Sequence, residues 1–75
     1  MIVVANSNIL GQNIKYLRKS KNLSLEEMAD LIQIEEDKLK NLESGISFEI
    51  EYTSLCRIYD YFEGDMDHLF DKIFD

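Results

Sequence analysis

The sequence predicts an all-α fold, a bundle of five short helices within 75 residues. Three observations point there. Apolar residues recur at three- and four-residue spacing through most of the chain. No proline interrupts them, and hydrophobic residue types make up 45% of the composition, which suits a packed helical domain rather than a disordered chain. Capping residues and glycines punctuate the pattern at intervals that suit short helices joined by tight turns.

Each element follows from its own residues. Ile2, Val3 and Val4 are β-prone, so residues 1–7 read as an arm, either frayed or a short strand that pairs with another chain. Ser7 or Asn8 can cap a first helix, with Leu10, Ile14 and Leu17 as its apolar stripe and Tyr16 at the edge. That helix should end near Lys21-Asn22, where basic residues complement the helix dipole. Ser24 and Glu27 form a capping box: the hydroxyl accepts the amide three residues on, and the carboxylate reaches back. Leu25, Met28, Ala29 and Ile32 then line one face of a second helix.

Gln33-Ile34 makes a tight turn, with Ile34 packing inward. A third helix follows from about Glu35 to Leu42, burying Leu39 and Leu42, and Gly45 supplies a left-handed stop. Glu35, Glu36 and Asp37 sit in its first turn, where the positive helix end favours carboxylates. Ile46 to Ile50 reads as a loop. A fourth helix from about Glu51 to Phe62 presents Tyr52, Leu55, Cys56, Ile58, Tyr59 and Phe62 as its apolar side. After Gly64, Asp65 caps a fifth helix with Met66, Leu69, Phe70, Ile73 and Phe74 apolar. No linker or repeat divides the chain, so residues 1–75 form one expected domain.

Charge and composition exclude several functions. The net charge is -7, unevenly spread: residues 1–34 hold four basic and three acidic groups, residues 35–75 four and twelve. A phosphate ligand would therefore favour the first helix, and most other carboxylates read as a solvated surface. The single Cys56 allows no internal disulfide and fits a reducing cytoplasm. The opening apolar run is too short for a signal peptide, and none approaches the roughly 20 residues that span a bilayer. Asp65, Asp67, His68 and Asp71 could be drawn as a metal cluster, but they lack the Gly and terminal Glu of a calcium loop. Cys56 and His68 fall on different helices, and no nucleophile–base pair or phosphate-cradling loop is visible. Neither catalysis, metal nor cofactor is expected.

The spacing of Gly11, Ile14, Leu17 and Arg18, then Ser24, Glu27, Met28 and Ala29, then Ile34, Leu39, Leu42, Glu43 and Gly45, and finally Phe62, Met66 and Leu69 carries a resemblance. From Leu10 to Phe70 the chain resembles the Xre/Cro-like helix-turn-helix family of phage and bacterial repressors, with the motif at helices two and three of a lambda-repressor-like fold. The resemblance implies a sequence-specific DNA-binding transcriptional regulator whose third helix lies in the major groove. It assigns base-facing positions to Glu36, Asp37, Lys40 and Asn41. Phosphate contacts fall to Gln12, Lys15, Lys19 and Lys38, and to the backbone amides that open helix two. Asn41 suits adenine, and Glu36 or Asp37 could accept from cytosine N4. It also implies a structural ion pair between Arg18 and Glu43.

Several positions depart from the family pattern. Leu25 replaces a common Gln, Gln33 the usual turn Gly, and Glu35 a small polar cap. The stretch from Gly45 to Glu51 lacks the usual Pro and basic residues. Two functions stay open: a regulator bound to double-stranded DNA, and a protein-interaction module whose acidic groove face binds another regulator. Aromatics crowd the last third, and Tyr61 and Phe74 exceed what a small core holds, so a homodimer is expected through helices four and five or the N-terminal arm. The continuous surface over Lys15, Lys19, Lys38, Lys40 and Asn41 is what separates the two functions.

Overall fold

The computed structural model describes residues 1–5 and 7–62. Four helices lie among them: α1 (Ile9–Ser20), α2 (Leu25–Ile32), α3 (Glu36–Glu43) and α4 (Tyr52–Tyr61). A two-stranded antiparallel ribbon joins them, β1 (Ile2–Val4) with β2 (Glu49–Glu51). The fifth helix expected from Asp65 lies outside the described residues, as do Phe74, His68 and the aspartates beside it.

Two sequence expectations give way at the ribbon. The N-terminal segment neither frays nor needs another chain, because Val3 pairs with Ile50 of its own chain, flanked by Ile2–Glu51 and Val4–Glu49. The stretch from Ile46 to Ile50 is not all loop, because β2 begins at Glu49. The cause is alternation. Glu49-Ile50-Glu51 turns Ile50 to the same inner face as Val3, where Ile50 is buried and Val3 packs on the core. Main-chain bonds from Ala5 to Phe48 and from Tyr52 to Met1, each 2.8 Å, extend the ladder at both ends.

The core gathers Leu10 and Ile14 of α1, Met28, Ala29 and Ile32 of α2, Leu39 and Leu42 of α3, and Leu55 and Ile58 of α4. α3 packs on α1 and α2, and α4 packs on α2 and β2. Gly11 allows the closest of these approaches. A Cβ there would lie 2.8 Å from the carbonyl carbon of Leu42 and closer still to its oxygen.

The first three helices stop in the same way. After each, one residue turns left-handed: Asn22 (φ 57), Gln33 (φ 59) and Gly45 (φ 83). The next amide then reaches back five residues, Leu23 to Arg18, Ile34 to Ala29 and Ile46 to Asn41, while the left-handed residue's own amide bonds three residues back. This is a Schellman stop, with an apolar residue following it each time. Gln33 takes the αL position without being glycine. Its amide side chain donates to Asp30 O at 3.0 Å.

The start of α2 is a complete capping box. The Glu27 amide donates to Ser24 Oγ at 3.0 Å, and the Ser24 amide donates to Glu27 Oε1 at 2.8 Å. The Asn8 side chain makes no such cap on α1; instead the Ser7 hydroxyl accepts from the Ile9 amide at 3.3 Å. Tyr52, expected on the apolar side of α4, opens the helix beside the end of the ribbon and is exposed.

Candidate nucleic-acid interface

α3 buries Leu39 and Leu42 and turns Glu36, Asp37, Lys38 and Lys40 to solvent, with Asn41 half-buried. An eight-residue helix that buries only two side chains keeps a broad polar face. This face is the candidate site, and its two flanks differ in charge.

On the α1 side, Gln12, Lys15 and Lys19 line one hollow, together with Glu43 and Ser44. Lys15 also lines an adjoining hollow with Lys40 of α3. Three lysines from two helices therefore gather along one edge of α3. The one carboxylate there, Glu43, is neutralised. Arg18 Nε donates to Glu43 Oε2 at 2.9 Å and Nη2 to Oε1 at 3.0 Å, while Nη1 donates to Leu23 O at 2.8 Å. The two side chains are only 11% and 6% exposed. Arg18 therefore holds the end of α1, the entry to α2 and the end of α3 together, and no guanidinium face is left for a ligand.

On the other side, a cleft of about 310 Å³ separates α3 from the ribbon. Lys38 and Asn41 stand on its α3 wall. Glu35, Glu49 and Glu51 rim it, and Ile34 and Ile50 line it. The residues that the sequence grouped by role are thus split by place. Lys40, assigned to bases, joins the α1 lysines. Lys38, assigned to phosphate, stands with Asn41 among carboxylates. Glu36 and Asp37 occupy the exposed first turn, one helical turn before Lys40.

At the start of α2, whose opening amides the resemblance assigns to phosphate, the Glu27 amide is bonded to Ser24 Oγ in the expected capping box. The Glu27 carboxylate itself occupies this helix end. Hydrogen bonds from the Ser24 backbone amide, and then from its side chain, hold the Glu27 carboxyl below its ordinary pKa, so it stays charged. A phosphate approaching there meets a fixed anion.

Sequence reasoning missed Glu49 and Glu51 as part of this surface. The signal available was the polar–apolar–polar alternation around Ile50, which marks a half-buried strand. Elsewhere, Cys56 is half-buried beside Tyr52, one turn away, and hydrogen bonding to the Cys56 side chain raises the tyrosine's pKa. Among the described residues no cluster of three or more metal-ligating side chains occurs, and no helix is long and apolar enough to cross a membrane.

The profile of a protein family described as a helix-turn-helix domain matches residues 11–73, most of the chain. No curated protein and no solved structure matches it. The matched span contains the capping box, the left-handed turn at Gln33 and the exposed α3 face. The chain belongs to the helix-turn-helix domain family.

Proposed function

We propose that this protein is an Xre/Cro-like transcriptional regulator that binds double-stranded DNA as a cytoplasmic homodimer, without catalysis or a cofactor. The observation that carries this reading is the row of Lys15, Lys19 and Lys40 along the α1 edge of α3. With α3 in the major groove, these lysines and Gln12 meet one phosphate strand. Asn41, Glu36 and Asp37 then face base edges, and Lys38 stands toward the opposite strand. The exposed aromatic Tyr61 on α4 and the exposed Ile2 and Val4 of β1 support a second copy.

Selection from random duplexes at low and moderate salt tests the reading. Enrichment of a two-fold-related site, retained less well as salt rises, is the expected result. No enrichment together with no salt response excludes DNA as the ligand. The cleft rimmed by Glu35, Glu49 and Glu51 favours a second reading, in which the helix-turn-helix surface binds a protein.

A further inference from the structure

We propose that the cleft between α3 and β2 is a docking site for a basic peptide segment of a partner protein, anchored by one apolar side chain. The inference deepens the second reading above and does not depend on DNA binding.

The cleft has the two properties such a segment needs. Its volume of about 310 Å³ and its lining by Ile34 and the exposed Ile2 accept one large apolar side chain. Sites of this size, apolar with a few placed polar groups, are where ligands bind. Ile34 is half-buried, so it offers part of its side chain to the cleft while the rest packs on the core. Its rim carries Glu35, Glu49 and Glu51, and Lys38 is the one basic side chain that lines it. Glu51 lies 3.5 Å from the N-terminal ammonium in an exposed pair, and Glu35 and Glu49 have no ion-pair partner among the described residues. Among the described residues the paired arginine is Arg18, and it is committed to Glu43 on the far side of α3.

Charge then selects the partner class. A phosphodiester strand entering this cleft meets three carboxylates, one of them paired with the N-terminal ammonium, against the Lys38 amine, and the net juxtaposition is repulsive. Lysine or arginine side chains flanking an apolar residue meet the same rim favourably. The ribbon register makes the arrangement specific: Glu49 and Glu51 lie on one face of β2, two residues apart, so they meet alternate side chains of an incoming segment. Lys38 and Asn41 belong to the α3 face that the DNA reading places in the groove. A peptide in the cleft therefore covers one side of that face, and binding of the two ligands is mutually exclusive.

The test is a titration of the intact protein, followed by amide NMR, with the acetylated peptide Lys-Arg-Phe-Arg-Lys. Expected is saturable binding, with shifts concentrated at Ile34, Lys38, Asn41, Glu49 and Glu51. Replacing the peptide's Phe by Ser weakens binding about tenfold, the effect of leaving an aromatic side chain unburied. The protein variant Glu49→Gln/Glu51→Gln weakens it about 3- to 10-fold, with an unchanged fold visible in the same spectra. The proposal is overturned if shifts map elsewhere, if spermidine shifts the same amides equally, if the Phe and Ser peptides bind alike, or if the double variant binds as tightly as the wild type. A duplex titrated into the same sample tests the other reading separately, since it should move the amides of Lys15, Lys19 and Lys40.

Discussion

Removing the Glu43 carboxylate should unfold this protein at a much lower temperature. The pair with Arg18 is bidentate, at 2.9 and 3.0 Å, and its side chains are 11% and 6% exposed. Breaking one partner of a buried pair leaves an uncompensated charge and costs about 3–5 kcal/mol. Arg18 keeps its bond to Leu23 O and a little contact with water, so the lower end applies, about 3 kcal/mol. A chain of this length has a total stability of only about 4–11 kcal/mol. At about 4–8 °C per kcal/mol, Glu43→Ala should lower Tm by about 12–24 °C. Far-UV circular dichroism during heating measures it. The double variant Arg18→Met/Glu43→Leu gives the internal control. With no charge left buried, it should regain stability to within about 1 kcal/mol of the wild type. A Glu43→Ala loss below about 1 kcal/mol, the level of an exposed pair, would refute the argument that this bridge is desolvated and holds three elements together.

Four further outcomes are expected. Gly11→Ala should cost about 3 kcal/mol or fail to fold, because its methyl overlaps the main chain of Leu42 rather than a side chain that can move; urea denaturation reads this. Gln33→Gly should raise stability by about 0.5 kcal/mol, since relief of the left-handed strain slightly exceeds the loss of the Asp30 hydrogen bond and the added glycine entropy; a lower urea midpoint would contradict it. The stability difference between wild type and Glu27→Gln should be full at neutral pH, above the unfolded carboxyl's pKa. It should disappear as pH falls through the lowered folded value, because a depressed carboxyl stabilises only while ionised; chemical denaturation at a series of pH values follows it. If DNA is bound, Lys15→Ala and Lys40→Ala should each reduce the salt dependence of binding by roughly one phosphate contact, whereas Lys38→Ala should reduce it less; fluorescence anisotropy at stepped salt measures the slopes.

The helical part of the fold was legible because it is locally encoded. Ser24 and Glu27 satisfy each other within one turn, and Gly45 turns left-handed where the pattern requires it. Arg18 and Glu43 became readable only through resemblance, since nothing in the sequence specifies a meeting of residues 25 positions apart. The ribbon was hidden for a different reason. A three-residue strand is too short for a clear period, and its partner lies at the other end of the described chain. The charge of the candidate site was hidden for the same reason. Lys38 and Lys40 stand two residues apart in the sequence, and a helix turns such a pair about 200° from each other, so each joins a different flank. The carboxylates opposite Lys38 arrive from β2, whose position depends on the ribbon.

The ribbon also sets an order of events. Every helical stop closes over five residues or fewer, whereas β1 must find positions 49–51 across the span that holds α1, α2 and α3. Loop closure of that span costs entropy that three short pairings barely return, so the ribbon should form last in folding and open first in the native state. Its amides at Val3 and Ile50 should then exchange with solvent long before those of Leu39 or Ile14. Among the described elements the β2 wall should accordingly be the first to open, and anything that settles against it would tighten the N-terminal strand as well.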